Sequence, residues 1–539
     1  MPRPSLRVLL FLLLGSLPIG HANAPHGGQP LPSLRRQLQG ASTAVASRSV
    51  FQLRGGADLG AVKSKLSLAG APPFVLTCAI FSAMDSLLLG YDIGCISGIL
   101  LYVQEEFALT MAQAEKFAAA MNSAAIIGAI VSGWIADTFG RKPALLMSSV
   151  TFALGSTLMS VAGSYDHLVK SRWIQGFGVG SGLLISPMFI AEVSPKKYRG
   201  ALVTMSEVSL SFGILLAFLL NYLLSNIPNQ WRWMIFLGAA PDFLLALRML
   251  FLPESPRFLI GKGRIKQARL VQRRILHPAS EAEADAEVLD IMTRMGEEQE
   301  GSWRDMLKPA TLTAIIVAIV VAVLQHAVGI ESIIYYSTKI FQQAGLVSKS
   351  SAILGTVAMG VIKLIAETHS LLNLDEGGRR PLLLLGSLGL TGTLLGLGVS
   401  MQIKLAGGIA GPSPATWGIF ACLGLYMAFH ALSYGPITWL VLAEILPNNV
   451  RGKAMGIATM FNRLTSYIVA STFLTLSERL DWSGSFYLYA GIAASSFLFY
   501  ALFVPETSGV ALEDINPLFA RPKELVRRNL QDLRRTFRL

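Results

Sequence analysis

Residues 86–97 read SLLLGYDIGCIS, and they lie inside an apolar run that extends from residue 74 to about residue 102. A run of that length can cross a bilayer as a helix. Asp92 stands near its middle with no charged neighbour in the stretch. A carboxylate at that depth costs roughly 2.5–3.5 kcal/mol on insertion scales, so we expect it to face the interior of a helix bundle. The position predicts either a proton carrier or one member of a structural ion pair between two helices.

The composition of the whole chain agrees with that stretch. Of 539 residues, 52% are hydrophobic and only 14% are charged, whereas about 25% are charged in soluble domains. This balance predicts an all-α polytopic membrane protein. The three cysteines lie in apolar runs and suggest neither a disulfide framework nor a metal site. We find no nucleotide loop, nucleophile elbow or metal cluster, so neither an enzyme nor a cofactor is expected. The net charge of +12 lies largely in short loops and the two tails, where it indicates topology rather than a nucleic-acid partner.

The N-terminus resembles targeting sequence. Residues 1–24 combine Arg3 and Arg7 with a short apolar core and an Ala-Asn-Ala end, which is typical of a signal peptide. Residues 25–71 form a basic, transit-like segment, and a disordered tail behind an uncleaved leader is the equal alternative. The plasma membrane and a plastid envelope are therefore both predicted locations.

Twelve apolar segments predict twelve membrane helices in two halves, residues 72–252 and 311–505. A polar linker at 253–310 with short surface helices separates the halves, and a basic tail follows at 506–539. Positive charges follow every second span, so both termini are predicted to lie on the cytoplasmic or stromal side. The segments are approximately 74–100, 117–136, 143–163, 168–190, 202–224, 232–252, 312–337, 350–373, 380–403, 416–442, 453–477 and 484–504.

Charged motifs at span ends recur in the two halves in the same order, as expected for parallel repeats with a binding site between them. Each motif puts carboxylates beside guanidinium groups on the predicted cytoplasmic side. Such a network can clamp the halves together on that side, and topology alone is the alternative explanation. The gate residues are Asp137, Arg141, Glu192, Arg199, Glu254 and Arg257 in the first half, and Asp375, Arg379, Glu444, Arg451 and Glu506 in the second.

These motifs resemble the sugar porter family of the major facilitator superfamily from about residue 74 to residue 519. The signatures are RWIQGFGVG at 172–180, PMFIAE at 187–192, PESPR at 253–257, GRRP at 378–381 and PETSG at 505–509. The resemblance implies a twelve-helix fold that carries a neutral polyhydroxylated solute by alternating access. An acid in span five, an acid in span seven and Lys in span eight make the chain similar to plant polyol/monosaccharide:proton symporters. His326 and Glu331 stand where that subfamily tends to carry Gln and Asp.

Three charges near mid-membrane, Glu207, Glu331 and Lys363, would each be costly alone. We expect Lys363 to neutralise one or both carboxylates if spans five, seven and eight meet at a central cavity. Gly329 is expected to break span seven beside that cavity. Carboxylates, amides and an aromatic face suit a polyol. The predicted solute-binding residues are Glu207, Gln325, His326, Glu331, Tyr335, Lys363, Trp439 and Asn462.

The resemblance makes Asp92 the proton site and Arg172 its partner, which implies coupling of the solute to proton symport. An uncoupled facilitator of the same fold is the first alternative, and a non-transporting sugar sensor is a weaker one. Lys363 and Arg463 also leave open a charged substrate, an idea that weakens if carboxylates match them. The expected partners are a small neutral sugar or polyol, protons and the lipid bilayer.

Overall fold

The structure is a computed structural model, and it describes residues 73–194, 196–276, 281–297, 302–407, 411–508, 510 and 515–537. The predicted leader at 1–24 and the transit-like segment at 25–71 lie outside the described residues. The described residues form helices joined by short turns and contain no β-strand. The all-α architecture predicted from composition is confirmed.

The first half contains six long helices. Gly90, at the middle of the first helix, lies directly against the fifth, and a Cβ atom there would stand 1.9 Å from the carbonyl oxygen of Leu210. Close approach of this kind is why small residues mark helix contacts in membranes. The helices are α1 Pro73–Glu106, α2 Met111–Thr138, α3 Arg141–Ser160, α4 Tyr165–Val193, α5 Lys196–Leu223 and α6 Gln230–Met249.

Three short helices follow in the polar linker: α7 Pro256–Gly261, α8 Ile265–Leu276 and α9 Glu281–Glu297. A 3₁₀ turn at Asp305–Leu307 leads from the linker to the second half. The linker contacts that half where the ammonium group of Lys453 stands 5.8 Å from the ring centre of Trp303.

The second half repeats the plan, with two of its spans broken. The pieces are α10 Pro309–Ala327, α11 Ile330–Tyr335, α12 Ser337–Gln343, α13 Lys349–Gly377, α14 Arg379–Ala406, α15 Pro414–Leu432, α16 Tyr434–Ile445, α17 Arg451–Arg479 and α18 Asp481–Phe503. A last helix, α19 Pro522–Phe537, packs on α18. Asn529 of α19 donates to the carbonyls of Leu502 at 2.9 Å and Val504 at 3.3 Å.

The break between α10 and α11 falls at Gly329, as predicted. This residue has φ of +95°, a left-handed conformation that glycine adopts without steric cost. A second break, which the sequence analysis missed, separates α15 from α16 at Ser433, where φ is −129° and ψ is −73°. Pro436, in the first turn of α16, was the available signal because proline is tolerated at a helix start and disrupts a helix interior.

Ten helical segments in the described residues are long and apolar enough to cross a membrane. The other two predicted spans are also helical, as α6 and α17, but they are more polar. Arg232 and Asp242 lie in α6, and Arg463 lies in α17. Twelve spans therefore stay a prediction from sequence, whereas the polytopic helical fold is established.

The two halves pack together through α2 against α17 and α5 against α13. We call the end of the bundle that holds Arg141 and Arg379 the basic end, and the end that holds residues 107–110 the far end. Among the described residues, polar contacts between the halves lie at mid-depth and toward the far end. Examples are Thr338 Oγ1 donating to the Ser97 carbonyl at 2.5 Å and the Thr475 amide donating to Glu115 at 2.8 Å. The halves are thus joined away from the basic end.

Candidate solute and proton site

Asp92 and Arg172 form a buried ion pair between α1 and α4. The guanidinium NH1 lies 2.6 Å from Asp92 Oδ1, and the two residues are 0% and 5% exposed. Gln175, one turn further along α4, donates to the same oxygen at 2.7 Å and to Ser156 Oγ at 2.8 Å. Gln175 was not predicted, although it lies in the RWIQGFGVG signature, three residues after Arg172 on the same helix face.

The pair keeps unused hydrogen-bonding capacity. Asp92 Oδ2 and two guanidinium nitrogens of Arg172 are buried without a partner among the described residues. Buried charged atoms without partners are costly, so this arrangement is suited to change rather than to maximal stability. Nearby, Phe117 lies 6.0 Å from the guanidinium carbon, within range of a cation–π contact.

The break in span seven brings together residues from α10 and α17. Gln325 donates to the carbonyls of Tyr434 at 3.0 Å and Gly435 at 3.2 Å. Asn462 donates to Gln325 Oε1 and to the Ala322 carbonyl, both at 2.8 Å. The two predicted amides therefore meet beside both helix breaks.

His326 and Glu331 face each other across Gly329. His326 Nδ1 lies against Glu331 Oε1 without the alignment of a hydrogen bond. Ser466 donates to the same carboxylate oxygen at 2.9 Å, whereas Glu331 Oε2 is buried without a partner among the described residues. His326 Nε2 also lies 3.0 Å from Asn462 Oδ1. Glu331 thus offers one free acceptor oxygen in this cluster.

Lys363 does not contact Glu331, contrary to the expectation from sequence. Its ammonium group donates to Ser211 Oγ at 2.5 Å and to Glu367, its i+4 neighbour on α13. Ser211 also donates to Glu367, so these three residues form a buried cluster that joins α5 to α13. Glu207 on α5 lies within electrostatic range of this pair of charges. The partner of Lys363 is the carboxylate on its own helix, because an i, i+4 spacing holds the two side chains together in any rotation of the helix.

Two aromatic candidates differ in their surroundings. Tyr335 at the end of α11 is 2% exposed, and its hydroxyl accepts from Asn122 of the first half at 3.5 Å. Trp439 on α16 is half-buried and packs at the edge of the main core. His430 lies with its Nε2 3.2 Å from the carbonyl oxygen of Gln325.

The motifs at the basic end form two equivalent clusters. In the first half, Arg141 pairs with Glu192 at 3.0 Å and with Asp137 at 3.4 Å. Glu254 accepts from the backbone N–H groups of Arg141 at 2.9 Å and of Lys142 at 3.2 Å. A carboxylate there opposes the positive end of the α3 dipole.

The second half repeats this geometry. Arg379 pairs with Glu444 at 3.1 Å, and Glu506 accepts from the backbone N–H groups of Arg379 at 3.0 Å and Arg380 at 3.2 Å. Arg451 donates to the Leu446 carbonyl at 3.1 Å.

These ion pairs join helices of one half rather than the two halves to each other. A clamp between the halves stays a prediction, since here the clusters brace each half separately. Arg257 is exposed. The side chains of Arg199 and Asp375 lie outside the described part of the chain.

The sequence analysis missed two further carboxylates, the half-buried Asp85 on α1 and the buried Asp242 on α6. They line one small cavity in the first half, and Asp242 is 3% exposed. Each stands in an apolar run, which was the available signal.

Comparison with known proteins places this geometry in a family. The family model described as "Sugar (and other) transporter" matches residues 78–519. Polyol transporter 5 of Arabidopsis thaliana is 34% identical over 483 residues, which covers 84% of this chain and 88% of that protein. Probable polyol transporter 6 of the same plant is 32% identical over 483 residues, covering 85% of this chain and 97% of that protein.

Solved structures of a bacterial transporter have the same fold. The inward-open conformation of the xylose transporter XylE from E. coli aligns with a TM-score of 0.70 and 27% identity, covering 82% of this chain and 99% of that chain. The structure described as the proton:xylose symporter XylE bound to 6-bromo-6-deoxy-D-glucose aligns with a TM-score of 0.69 and 27% identity, covering 83% and 99%. Because these matches extend over both halves, the chain is a multi-pass membrane transporter, not an enzyme, and belongs to the sugar porter family of the major facilitator superfamily, with the polyol transporters among its relatives.

Proposed function

We propose that this chain is a secondary active transporter that moves a monosaccharide or polyol by alternating access together with a proton. The observation that carries the proposal is the buried Asp92–Arg172 contact at 2.6 Å. A carboxylate that exchanges a cation partner for a proton can link proton binding to a conformational change. The similarity to polyol transporters supports the solute class, and the similarity to XylE, a proton:xylose symporter, supports proton coupling.

The coupling follows from linkage. If the conformational change of transport also moves α1 relative to α4 and so separates Arg172 from Asp92, the carboxylate binds a proton more tightly in that conformation, since the neutral acid needs no cation. By reciprocity, a proton on Asp92 favours the same conformation. A membrane potential would add about 2.3 kcal/mol per charge per 100 mV to the drive.

The solute is expected to bind between α10, α11, α16 and α17. Glu331 Oε2 has no partner among the described residues, and a solute hydroxyl would supply the missing donor. Gln325 and Asn462 add groups that both donate and accept, and Trp439 offers an apolar face to the C–H side of a sugar. Glu207, His326, Tyr335 and Lys363 are the remaining candidates for contact with the solute.

A neutral solute fits the charges better than an anion. Lys363 is matched by Glu367. Arg463 donates to Asn462 Oδ1 at 2.6 Å and lies within electrostatic range of Glu331. Since Lys363 and Arg463 each have an acidic neighbour, an anionic solute would have to displace a carboxylate.

We propose that the clusters at the basic end face the cytoplasm or the stroma and act as the gate. The two predicted locations, plasma membrane and plastid envelope, are distinguished by microscopy of the full chain carrying a fluorescent protein at its C-terminus.

The test is uptake into proteoliposomes with and without an imposed pH gradient. The solutes are glucose, xylose, mannitol, sorbitol and myo-inositol, and the proteins are wild type, Asp92→Asn and the matched control Asp166→Asn, which changes an exposed carboxylate at the start of α4. We expect wild type and control to accumulate one solute with the gradient. Asp92→Asn is expected to lose accumulation and to keep counterflow exchange.

Two results would reject parts of the proposal. Uptake that ignores the gradient and survives Asp92→Asn would identify a facilitator. Failure of every solute to exchange, with the protein correctly folded, would favour the sensor.

A further inference from the structure

Two small cavities lie one above the other inside the first half, between α1, α3, α4 and α6. The cavity nearer the basic end, which we call the lower cavity, has a volume of about 20 Å³, and its lining includes Asp85, Ser148 and Asp242. The other encloses about 10 Å³ and is lined by Asp92 and Ser156. Phe152 lines both cavities and separates them. Each has room for about one water molecule.

The lower cavity contains a polar atom that lacks a partner. Asp242 is 3% exposed, and its Oδ2 is buried without a hydrogen-bond partner among the described residues. Asp85 bonds to Ser186. A Cβ atom on Gly182 would stand 3.2 Å from Asp85 Oδ2, so this glycine leaves the space that the carboxylate occupies. An unpaired buried carboxylate oxygen that lines a cavity points to a ligand that can donate to it.

The charges around the lower cavity are all acidic. The titratable side chains that line the two cavities are Asp85 and Asp242 in the first, and Asp92, Tyr91 and Cys95 in the second. No Lys, Arg or His among the described residues lines either one, and the cation nearby on α4, Arg172, is already bonded to Asp92.

Two carboxylates that share a site without a cation cannot both be ionised at acceptable cost. A proton held between them is the simplest ligand that satisfies the site.

The position of this pair relates it to Asp92. Asp85 and Asp92 are seven residues apart, which places them on one face of α1 about 10 Å apart along the axis. Ser148, Phe152 and Ser156 lie at i, i+4 and i+8 on the facing side of α3. Asp242 lies within electrostatic range of both Asp85 and Asp92. The acidic pair therefore lies between Asp92 and the basic end.

We propose that Asp85 and Asp242 form a second proton-binding site, through which a proton passes between Asp92 and the basic end. The proton leaves the Asp92 carboxyl group, which regains its contact with Arg172, and it binds a carboxylate of the pair by way of a cavity water. The proton already shared by the pair leaves toward the basic end, so one proton enters and one departs. This inference rests on the proposed proton coupling.

The first test compares Asp85→Asn, Asp242→Asn and the control Asp166→Asn in proteoliposomes. Counterflow exchange at equal pH requires no net proton movement, and we expect it to persist, which also selects the variants that fold. Gradient-driven uptake is expected to fall by roughly 5- to 150-fold, the range of typical coupling free energies. Asp242→Glu, which keeps an acid at the site, is expected to restore much of that uptake.

The second test needs no transport. Infrared spectra of the purified full chain at neutral pH should contain a C=O band from a protonated carboxylic acid, and Asp242→Asn should weaken it while Asp166→Asn does not. If Asp85→Asn and Asp242→Asn both keep wild-type uptake and an unchanged C=O band, the inference is overturned and the proposed function stands. Wild type that ignores the pH gradient would overturn both.

Discussion

Glu115 is predicted to hold the two halves together at the far end. It lies on α2, is 2% exposed, and accepts from the Thr475 amide at 2.8 Å and from Thr475 Oγ1 at 2.5 Å. Glu115→Gln keeps the size of the side chain but removes the charge and one acceptor. A hydrogen bond to a charged group is worth about 1.5–3 kcal/mol.

We consider two conformations, one in which the halves meet at the far end and one in which they meet at the basic end. Loss of that bond should shift the equilibrium between them by roughly 10- to 150-fold, because every 1.4 kcal/mol is about tenfold. The shift favours closure at the basic end, since the far-end contact is made only when the halves meet there. If the far-end-closed state dominates in wild type, both states become measurably populated in the variant.

Spin labels at Thr138→Cys and Gly452→Cys measure the distance between the halves at the basic end. Both positions are exposed, and a Cβ atom at Gly452 meets nothing within 4 Å. The labels are placed in a background without the native cysteines. We expect Glu115→Gln to add a population with a shorter distance.

The matched control is Glu106→Gln, at the same end of the bundle. Glu106 accepts from Arg232 at 2.8 Å and from Trp231 at 2.5 Å, so its bonds stay within the first half. The control should leave the distance distribution unchanged. An identical distribution in wild type and Glu115→Gln, or an equal shift in the control, would refute the role given to Glu115.

Three further predictions concern backbone strain, pH and a buried charge. Gly329→Ala should lower the free energy of unfolding by about 2–5 kcal/mol, because alanine is strained in the left-handed backbone conformation and its Cβ would stand 2.9 Å from the Tyr489 ring. Thermal unfolding in detergent measures this loss, and an unchanged midpoint would contradict it. Burial raises the pKa of Glu254 above its ordinary value of 4.5, although backbone N–H groups donate to the carboxylate. At pH values between the pKa of Glu254 in the unfolded state and its higher pKa in the folded state, the folded protein therefore binds more protons than the unfolded one. Stability of wild type relative to Glu254→Gln should therefore fall as pH rises through that window, and parallel pH profiles of the two midpoints would contradict it. Lys363→Met should cost about 3–5 kcal/mol by leaving Glu367 as an uncompensated buried charge, and Lys363→Met with Glu367→Gln should recover most of the loss in the same assay; equal midpoints for the single and double variants would exclude that explanation.

The sequence predicted those parts of the site that depend on local chemistry. Gly329 indicated the break in span seven because glycine tolerates positive φ. The pairing of Asp92 with Arg172 came from the family resemblance, and the structure places the two groups in contact.

Choices among several possible partners could not be predicted. Lys363 was expected to neutralise Glu207 or Glu331 on other spans, whose distance from it depends on how the helices pack, whereas it binds Glu367, which lies one turn away on its own helix. Glu115 and Thr475 are 360 residues apart, so no local pattern relates them. The repeated motifs at the basic end predicted which residues cluster there, but not that each cluster stays within its own half.

The last helix has a practical consequence for watching the protein work. Asn529 bonds to the carbonyls of Leu502 and Val504, and Arg380 donates to the carbonyls of both Ala501 and Asn529 at 2.8 Å. All these partners belong to the second half or to the tail itself. A fluorophore attached rigidly along α19 will therefore turn with the second half, and its polarised emission in an oriented membrane becomes a direct optical readout of each transport cycle.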